Sequence, residues 1–474
     1  MPLHYNNNFS FNTFFNSAKW IFLLNLINKG IGFFISILLA RLILPKEFGS
    51  YYYLLACIET LTIFISIGIN TSIIQNTKHP EDSFQQTGFL LSVVCVLFYM
   101  LLVYICGQWI IKINLAEYYL MAAAKSIFMF SGVHGIILQK GYKFRVYHQI
   151  IILSNLISYS AAIILAYKQF GLKALVYQYL IMHVLLAMLV IASSDFRIQL
   201  NQFKKEYIRV FIRQGKELYF ISAIGKLLEH LDILIIQQHL GKIAIGYYKR
   251  SISMTNNLQA LFIKAFEQLF LVSYADLQSN KSLSIYLLNQ GVWLTVRISA
   301  LILCLINCCP EKIIVLLYGE NWSIAANIIP WISLFLILNP VRNQFRSYFL
   351  ANGAFISLRN IHFIEIVLFI IFLLTGIKYG GIIGAATGLS LWIVFSLGIY
   401  FRKIDKNYLK KSMDLFLLPV SVLLAIILLN KIIPQKYVAP LYILKMMAGT
   451  FLYLFFLFLI ERKEIAELFN KIRG

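Results

Sequence analysis

Apolar residues fill this chain in about fourteen runs, mostly near 20 residues long and parted by short polar gaps, from Trp20 to Ile460. A run of that length spans a bilayer as a helix. The predicted helices lie near 20–43, 50–74, 88–111, 118–138, 149–167, 172–193, 217–240, 252–273, 286–308, 325–350, 360–377, 381–401, 414–430 and 438–460. Several carry a lysine, arginine or acid at mid-helix depth. Such a charge costs from about 3 kcal/mol to several times that unless it faces a polar interior, so repeated intramembrane cations predict a hydrated cavity suited to something anionic.

Composition places the whole chain in lipid. Of its 474 residues 60% are hydrophobic and 13% charged, and no polar gap is long enough for a folded extramembrane domain. The expectation is an all-α polytopic membrane protein. Cys57, Cys95, Cys106, Cys304, Cys308 and Cys309 sit in or beside apolar runs, a placement that signals neither a disulfide framework nor a zinc site. The segment from Met1 to Ser17 lacks a charged leader and a small-residue cleavage site, so the first apolar run is expected to be retained.

The net charge of +22 refines this picture through its distribution. With both termini cytoplasmic, the inside loops and tails hold about twice the Lys and Arg of the outside loops, the direction of the positive-inside bias. The richest inside segments are 197–216 and 402–411, which read as topology signals able to lie on anionic membrane lipid. Nucleic acid is excluded as a partner, since these short linkers cannot supply a fold with base-stacking aromatics.

The turn Pro45-Lys-Glu-Phe48-Gly49-Ser-Tyr51-Tyr52 between the first two helices returns as Ile245-Gly246-Tyr247-Tyr248 after the seventh. Aligning Gly49 on Gly246 matches the two without a gap. Gly171-Leu-Lys-Ala174 before helix six likewise resembles Gly381-Ile-Ile-Gly384 before helix twelve. Two six-helix halves follow, and six being even, the repeat is parallel. The expected architecture is two pseudo-symmetric six-helix lobes, 1–196 and 197–404, plus two C-terminal helices and a cytoplasmic tail in 405–474.

The same alignment sets Lys29 opposite Lys226. Lys29 shares a helix face with Asn25, Gly32 and Ser36; Glu59, Thr62, Ser66 and Asn70 share one on helix two; Ser253, Asn257, Ala260 and Lys264 share one on helix eight. Polar faces in lipid are expected to turn toward a common interior, although hydrogen bonds between helices would also account for them.

Lys226 and Glu229 are three residues apart and able to neutralise each other, which leaves Asp232 as a carboxylate that could bind a coupling proton or sodium ion. Glu59 and Glu229 are further coupling-ion candidates. Arg297 has no acid within one helical turn, and its planar fork suits phosphate oxygens, with Trp293 one turn earlier able to stack on it or on a sugar. Lys125 and Arg41 complete the candidate cations, Arg41 being close enough to the outer interface to serve as an anchor. His134, His183 and Glu365 read as hydrogen-bonding core groups. No triad order, metal-ligand cluster, P-loop or dinucleotide fingerprint is present in the sequence, so neither catalysis nor a cofactor is indicated.

Leu39-Ala-Arg41-Leu through Pro45-x-x-Phe48-Gly49-x-Tyr51, Ile73-Ile74-Gln75, Gly171 with Ala174-Leu175-Val176, Asp232 with Leu240-Gly241 and Gly246-Tyr247-Tyr248, and Leu317-Tyr-Gly319-Glu-Asn-Trp322 with Ala325-Ala326 resemble the polysaccharide flippases of the multidrug/oligosaccharidyl-lipid/polysaccharide exporter superfamily. Gln237 and Lys173 depart from that pattern, where glycine and tryptophan are usual. The resemblance implies a flippase that moves undecaprenyl-diphosphate-linked O-antigen, capsular or colanic-acid-type repeat units across the bacterial cytoplasmic membrane, alongside a polysaccharide polymerase and a chain-length regulator. Lys29, Lys226 and Arg297 are then expected to meet the diphosphate. A drug or metabolite antiporter of the same fold would favour acidic cavity residues, and a membrane-embedded polymerase or ligase would carry a sizeable external loop.

Overall fold

The computed structural model describes residues 11–65, 68–75, 81–110, 115–141, 143–277, 280–404 and 414–432, with 448, 449, 451, 453 and 455 near the C terminus. At 11–22 and at several helical positions, 264–269 among them, it describes the backbone alone. The regular structure among the described residues is helical throughout.

In chain order the helices are α1 (Phe11–Leu42), α2 (Pro45–Leu61), α3 (Ile69–Gln75), α4 (Glu81–Trp109), α5 (Leu115–Phe130), α6 (Gly132–Lys140), α7 (Phe144–Tyr167) and α8 (Leu172–Ser193). They continue as α9 (Lys205–Asp276), α10 (Lys281–Cys308), α11 (Pro310–Tyr318), α12 (Ser323–Ala326), α13 (Ile329–Ala351), α14 (Phe355–Ile404) and α15 (Asp414–Ile432). Among the described residues eight helices are long and apolar enough to cross a membrane, and a ninth if α13 is joined across its 65° bend to residues 320–326. The chain is a multi-pass membrane protein. Its spans do not map one to one onto the fourteen apolar runs, because α14 holds two of them and the run at 438–460 lies almost wholly outside the described residues.

The long helices break at glycine. α9 leaves helical geometry at Gly241 (φ 80°, ψ −178°) and α14 at Gly381 (φ 55°, ψ −130°). These breaks give the internal repeat a backbone counterpart. The alignment of Gly49 on Gly246 also sets Leu44 opposite Gly241, and Leu44 is the extended residue (φ −72°, ψ 153°) that separates α1 from α2. Gly381 repeats the conformation of Gly171 (φ 53°, ψ −122°), the residue before α8. Both lie in the left-handed region that a Cβ disfavours.

By contacts the chain divides into two compact units, Met1–Gln237 and Gln238–Gly474, so the first part of α9 packs with the first unit. In that unit α7 lies along α1 and α8, and α5 along α4 and α8. Its core gathers Leu54, Ile58, Phe84, Tyr99, Tyr118, Val176 and Phe211. In the second unit α10 packs on α13 and α15, and α13 on α14, burying Val292, Val296, Leu303, Ile332, Val341, Phe345 and Ile393. Large apolar side chains such as Phe34, Val94, Leu97, Met188 and Val367 point outward, where lipid rather than water receives them.

Candidate functional site

The site of interest grows from a flaw in the second span. α2 ends at Leu61, continues as one 3₁₀ turn from Thr62 to Ile65, and resumes as α3 after Gly68, whose φ is 72°. At the break the Thr62 hydroxyl turns back to donate to the Glu59 carbonyl at 2.7 Å. Irregular backbone at membrane depth is tolerated where it lines a polar cavity, and this segment does so.

The cavity has a volume of about 480 Å³. Thr62, Ile65 and Asn70 line it from the break, Ser92 and Val96 from α4, Lys125 and Met129 from α5, Gln139 from α6, Tyr147 from α7, and Tyr219, Ser222 and Lys226 from α9. All of these belong to the first unit. The hydroxyl and amide groups among them suit hydrogen bonding to a polar guest, and the apolar wall limits where such a guest fits.

Two lysines bring the charge. Lys125 Nζ lies 2.6 Å from Glu59 Oε1, with side-chain exposures of 14% and 18%. The Tyr179 hydroxyl donates to the same carboxylate oxygen at 3.4 Å. Tyr179 is itself held by the His183 ring at a centroid separation of 3.9 Å, and Phe128 meets His183 edge-on. Lys226 Nζ donates to Thr62 Oγ1 at 2.7 Å, and Lys226 and His230 are also within Coulombic reach of Glu59. Glu59 and the exposed Glu229 are carboxylates within Coulombic reach of these ammonium groups, while the cavity lining itself presents the two lysines and, among the described residues, no carboxylate. Desolvated ammonium groups gain most by meeting an anion.

The structure brings together Glu59, Lys125 and Lys226 of the expected site residues. Lys29 is exposed on α1, so the two aligned lysines have unlike surroundings. Arg41 is exposed on the last turn of α1. Glu229 is exposed, while Asp232 is buried and its Oδ1 accepts the N–H of Ile233 at 2.8 Å. The side chains of Lys264 and Glu267 lie outside the described residues.

Arg297 lies over Trp293, the contact its sequence spacing allows, and has a further partner on another helix. It is buried in the second unit, donates to the Leu415 carbonyl at 2.7 Å, and lies 4.8 Å from the Trp293 ring centroid. Its guanidinium therefore joins α10 to the start of α15.

Glu365 is the hydrogen-bonding core group that the sequence suggested, but sequence reasoning missed its charged partner. Arg342 on α13 grips Glu365 on the first arm of α14 with two bonds, Nε to Oε1 at 2.5 Å and Nη2 to Oε2 at 2.7 Å. Ser396, on the second arm, donates to Oε1, and Trp392 Nε1 donates to the Glu365 carbonyl at 2.9 Å. His362 packs 3.8 Å from Oε2. Arg250 was also missed; it is buried between Tyr318 and Trp322, its guanidinium carbon 4.7 and 4.8 Å from their ring centroids. A signal existed for the first pair: an arginine and a glutamate in one half of the chain, each deep in an apolar run with no Asp, Glu, Lys or Arg of opposite sign one turn away in the sequence, are candidates for one another.

Solved structures share this fold. The lipid II flippase MurJ in its inward closed conformation is similar over 95% of this chain and 99% of its own, with a TM-score of 0.67 at 16% identity. An inward-facing multidrug resistance MATE family transporter of the MOP superfamily is similar over 83% and 96%, with a TM-score of 0.65 at 14% identity. The chain belongs to the polysaccharide biosynthesis protein family, whose model matches residues 38–327. An uncharacterized membrane protein in the cps region of Klebsiella pneumoniae is 21% identical over 95% of this chain and 96% of its own length. The capsular polysaccharide biosynthesis protein CapF of Staphylococcus aureus is 26% identical over 19% of this chain and 23% of its own.

Proposed function

We propose that this protein is a flippase for surface polysaccharide biosynthesis, moving undecaprenyl-diphosphate-linked oligosaccharide repeat units across the bacterial cytoplasmic membrane by alternating access, with both termini cytoplasmic. The observation that carries this reading is that the cavity lining presents two ammonium groups, Lys125 and Lys226, and among the described residues no carboxylate. A diphosphate needs cations and a sugar needs hydroxyl and amide partners, both of which line the cavity, and a polyprenyl tail needs only lipid. A polymerase and a chain-length regulator would take the product on the far side.

Lys29, Arg41, Lys264 and Arg297 belong to the same functional series as weaker candidates, and Asp232, Glu229 and Glu59 to the series for a coupling ion. The multidrug exporters that share the fold supply the second reading, in which the cargo is an organic cation. The excess of lysine opposes it, because like charge repels such a cargo.

Deleting the protein in its host and locating the lipid-linked repeat unit separates these readings. Accumulation of the repeat unit in the cytoplasmic leaflet, with surface polysaccharide lost, is the outcome expected. Undiminished surface polysaccharide together with sensitivity to cationic drugs would favour the exporter instead.

A further inference from the structure

Both cavity lysines are held from Glu59, through two different oxygens. The carboxylate takes Lys125 directly at 2.6 Å. The backbone carbonyl takes the hydroxyl proton of Thr62 at 2.7 Å, and the Thr62 oxygen, its own proton committed, accepts Lys226 Nζ at 2.7 Å. Thr62 is 2% exposed and lines the cavity. An ammonium carries three protons, and Thr62 uses one, which leaves two for a guest. Without that contact the four-carbon stem of Lys226 is free to swing, since lysine is a flexible point charge rather than a preorganised fork.

We infer that Thr62 is a positioning residue for anion binding: it fixes the Lys226 ammonium in the cavity, facing the position of the guest phosphate. The inference rests on the reading of this cavity as an anion site.

The test is a double-mutant cycle on the purified full-length protein in detergent, with inorganic pyrophosphate as the probe and Kd read by calorimetry. Thr62→Val should weaken binding roughly tenfold, the scale of one hydrogen bond to a charged group, whereas Thr62→Ser should bind as the natural protein does. In a Lys226→Gln background the Thr62→Val change should have no further effect, because the group it positions is gone. Equal losses in both backgrounds would assign Thr62 a structural role and overturn the inference while leaving the anion site intact. Unchanged binding by Thr62→Val would overturn it as well. Absence of pyrophosphate binding by the natural protein would remove the anion reading and the role of Thr62 with it. Should Thr62→Val not stay monodisperse, Thr62→Ala takes its place in the same cycle.

Discussion

Each of the two units buries a carboxylate against a cation from another helix, and the two pairs differ in what surrounds them. In the first unit Glu59 meets Lys125 beside an open cavity, where the side chains keep 14% and 18% of their exposure and a second lysine stands nearby. In the second, Glu365 has no exposure, and both its oxygens are taken by the arginine fork of Arg342, with Ser396 as a further donor. A lysine offers a point charge that can be shared with a guest, whereas a bidentate guanidinium in a sealed site fixes geometry. We therefore assign the first pair to ligand exchange and the second to holding α13 against the two arms of α14.

The largest effect expected from this contrast is in the sealed pair. Arg342→Leu leaves Glu365 as an uncompensated buried charge and should cost about 3–5 kcal/mol, measured as a fall in unfolding temperature or loss of folded protein from the membrane. Pairing it with Glu365→Leu should recover most of the loss, since an ion pair replaced by apolar groups is often close to neutral. If Arg342→Leu alone left the melting curve unchanged, the sealed pair would not be structural.

A smaller effect separates the two glycines of the repeat. Both Gly171 and Gly381 have positive φ, and that alone costs a Cβ about 1–2 kcal/mol. At Gly171 the Cβ would also collide with the Glu47 carboxylate, while at Gly381 nothing lies within 4 Å. Glu47 is itself engaged, its Oε2 accepting the Leu44 N–H at 3.2 Å at the start of α2. Gly171→Ala should therefore lower the melting temperature clearly more than Gly381→Ala, and equal shifts would mean that Glu47 moves aside at no cost.

The smallest effect on stability belongs to the open pair. Glu59→Gln keeps the shape of the side chain but removes the competitor for Lys125, so pyrophosphate binding should tighten by about 3- to 10-fold, the scale of one modest hydrogen bond. The protein should stay folded. A collapse of the fold comparable to that of Arg342→Leu would erase the distinction between the pairs.

How much of this was legible in the sequence depends on the range of the signal. Apolar runs of span length give the helices, and the gapless match of Gly49 to Gly246 foretells that Leu44 and Gly241 are equivalent breaks. Candidate cations follow from their depth in those runs, which picked out Lys125 and Lys226. Partners do not, because local spacing compares residues one turn apart. Glu59 and Lys125 are 66 residues apart and Arg342 and Glu365 are 23 apart, each on separate helical segments. Lys226 is within Coulombic reach of Glu229, as the i, i+3 spacing allows, but its hydrogen bond to Thr62, 164 residues away in the chain, was not legible. Lys29 shows the limit of the repeat, since an alignment matches chain path and leaves neighbouring side chains free to differ.

The central claim is that Lys125 and Lys226 make the anion-binding site through which the lipid-linked headgroup is moved. It is tested most directly by reconstituting the protein in liposomes with a fluorescent polyprenyl-diphosphate-linked oligosaccharide and measuring the rate at which the outer leaflet gains or loses it. The natural protein should equilibrate the two leaflets, while protein with both Lys125→Gln and Lys226→Gln, inserted to the same level and equally stable, should do so at least tenfold more slowly, the scale of one lost hydrogen bond to charge. Equal rates for the two proteins would contradict the claim.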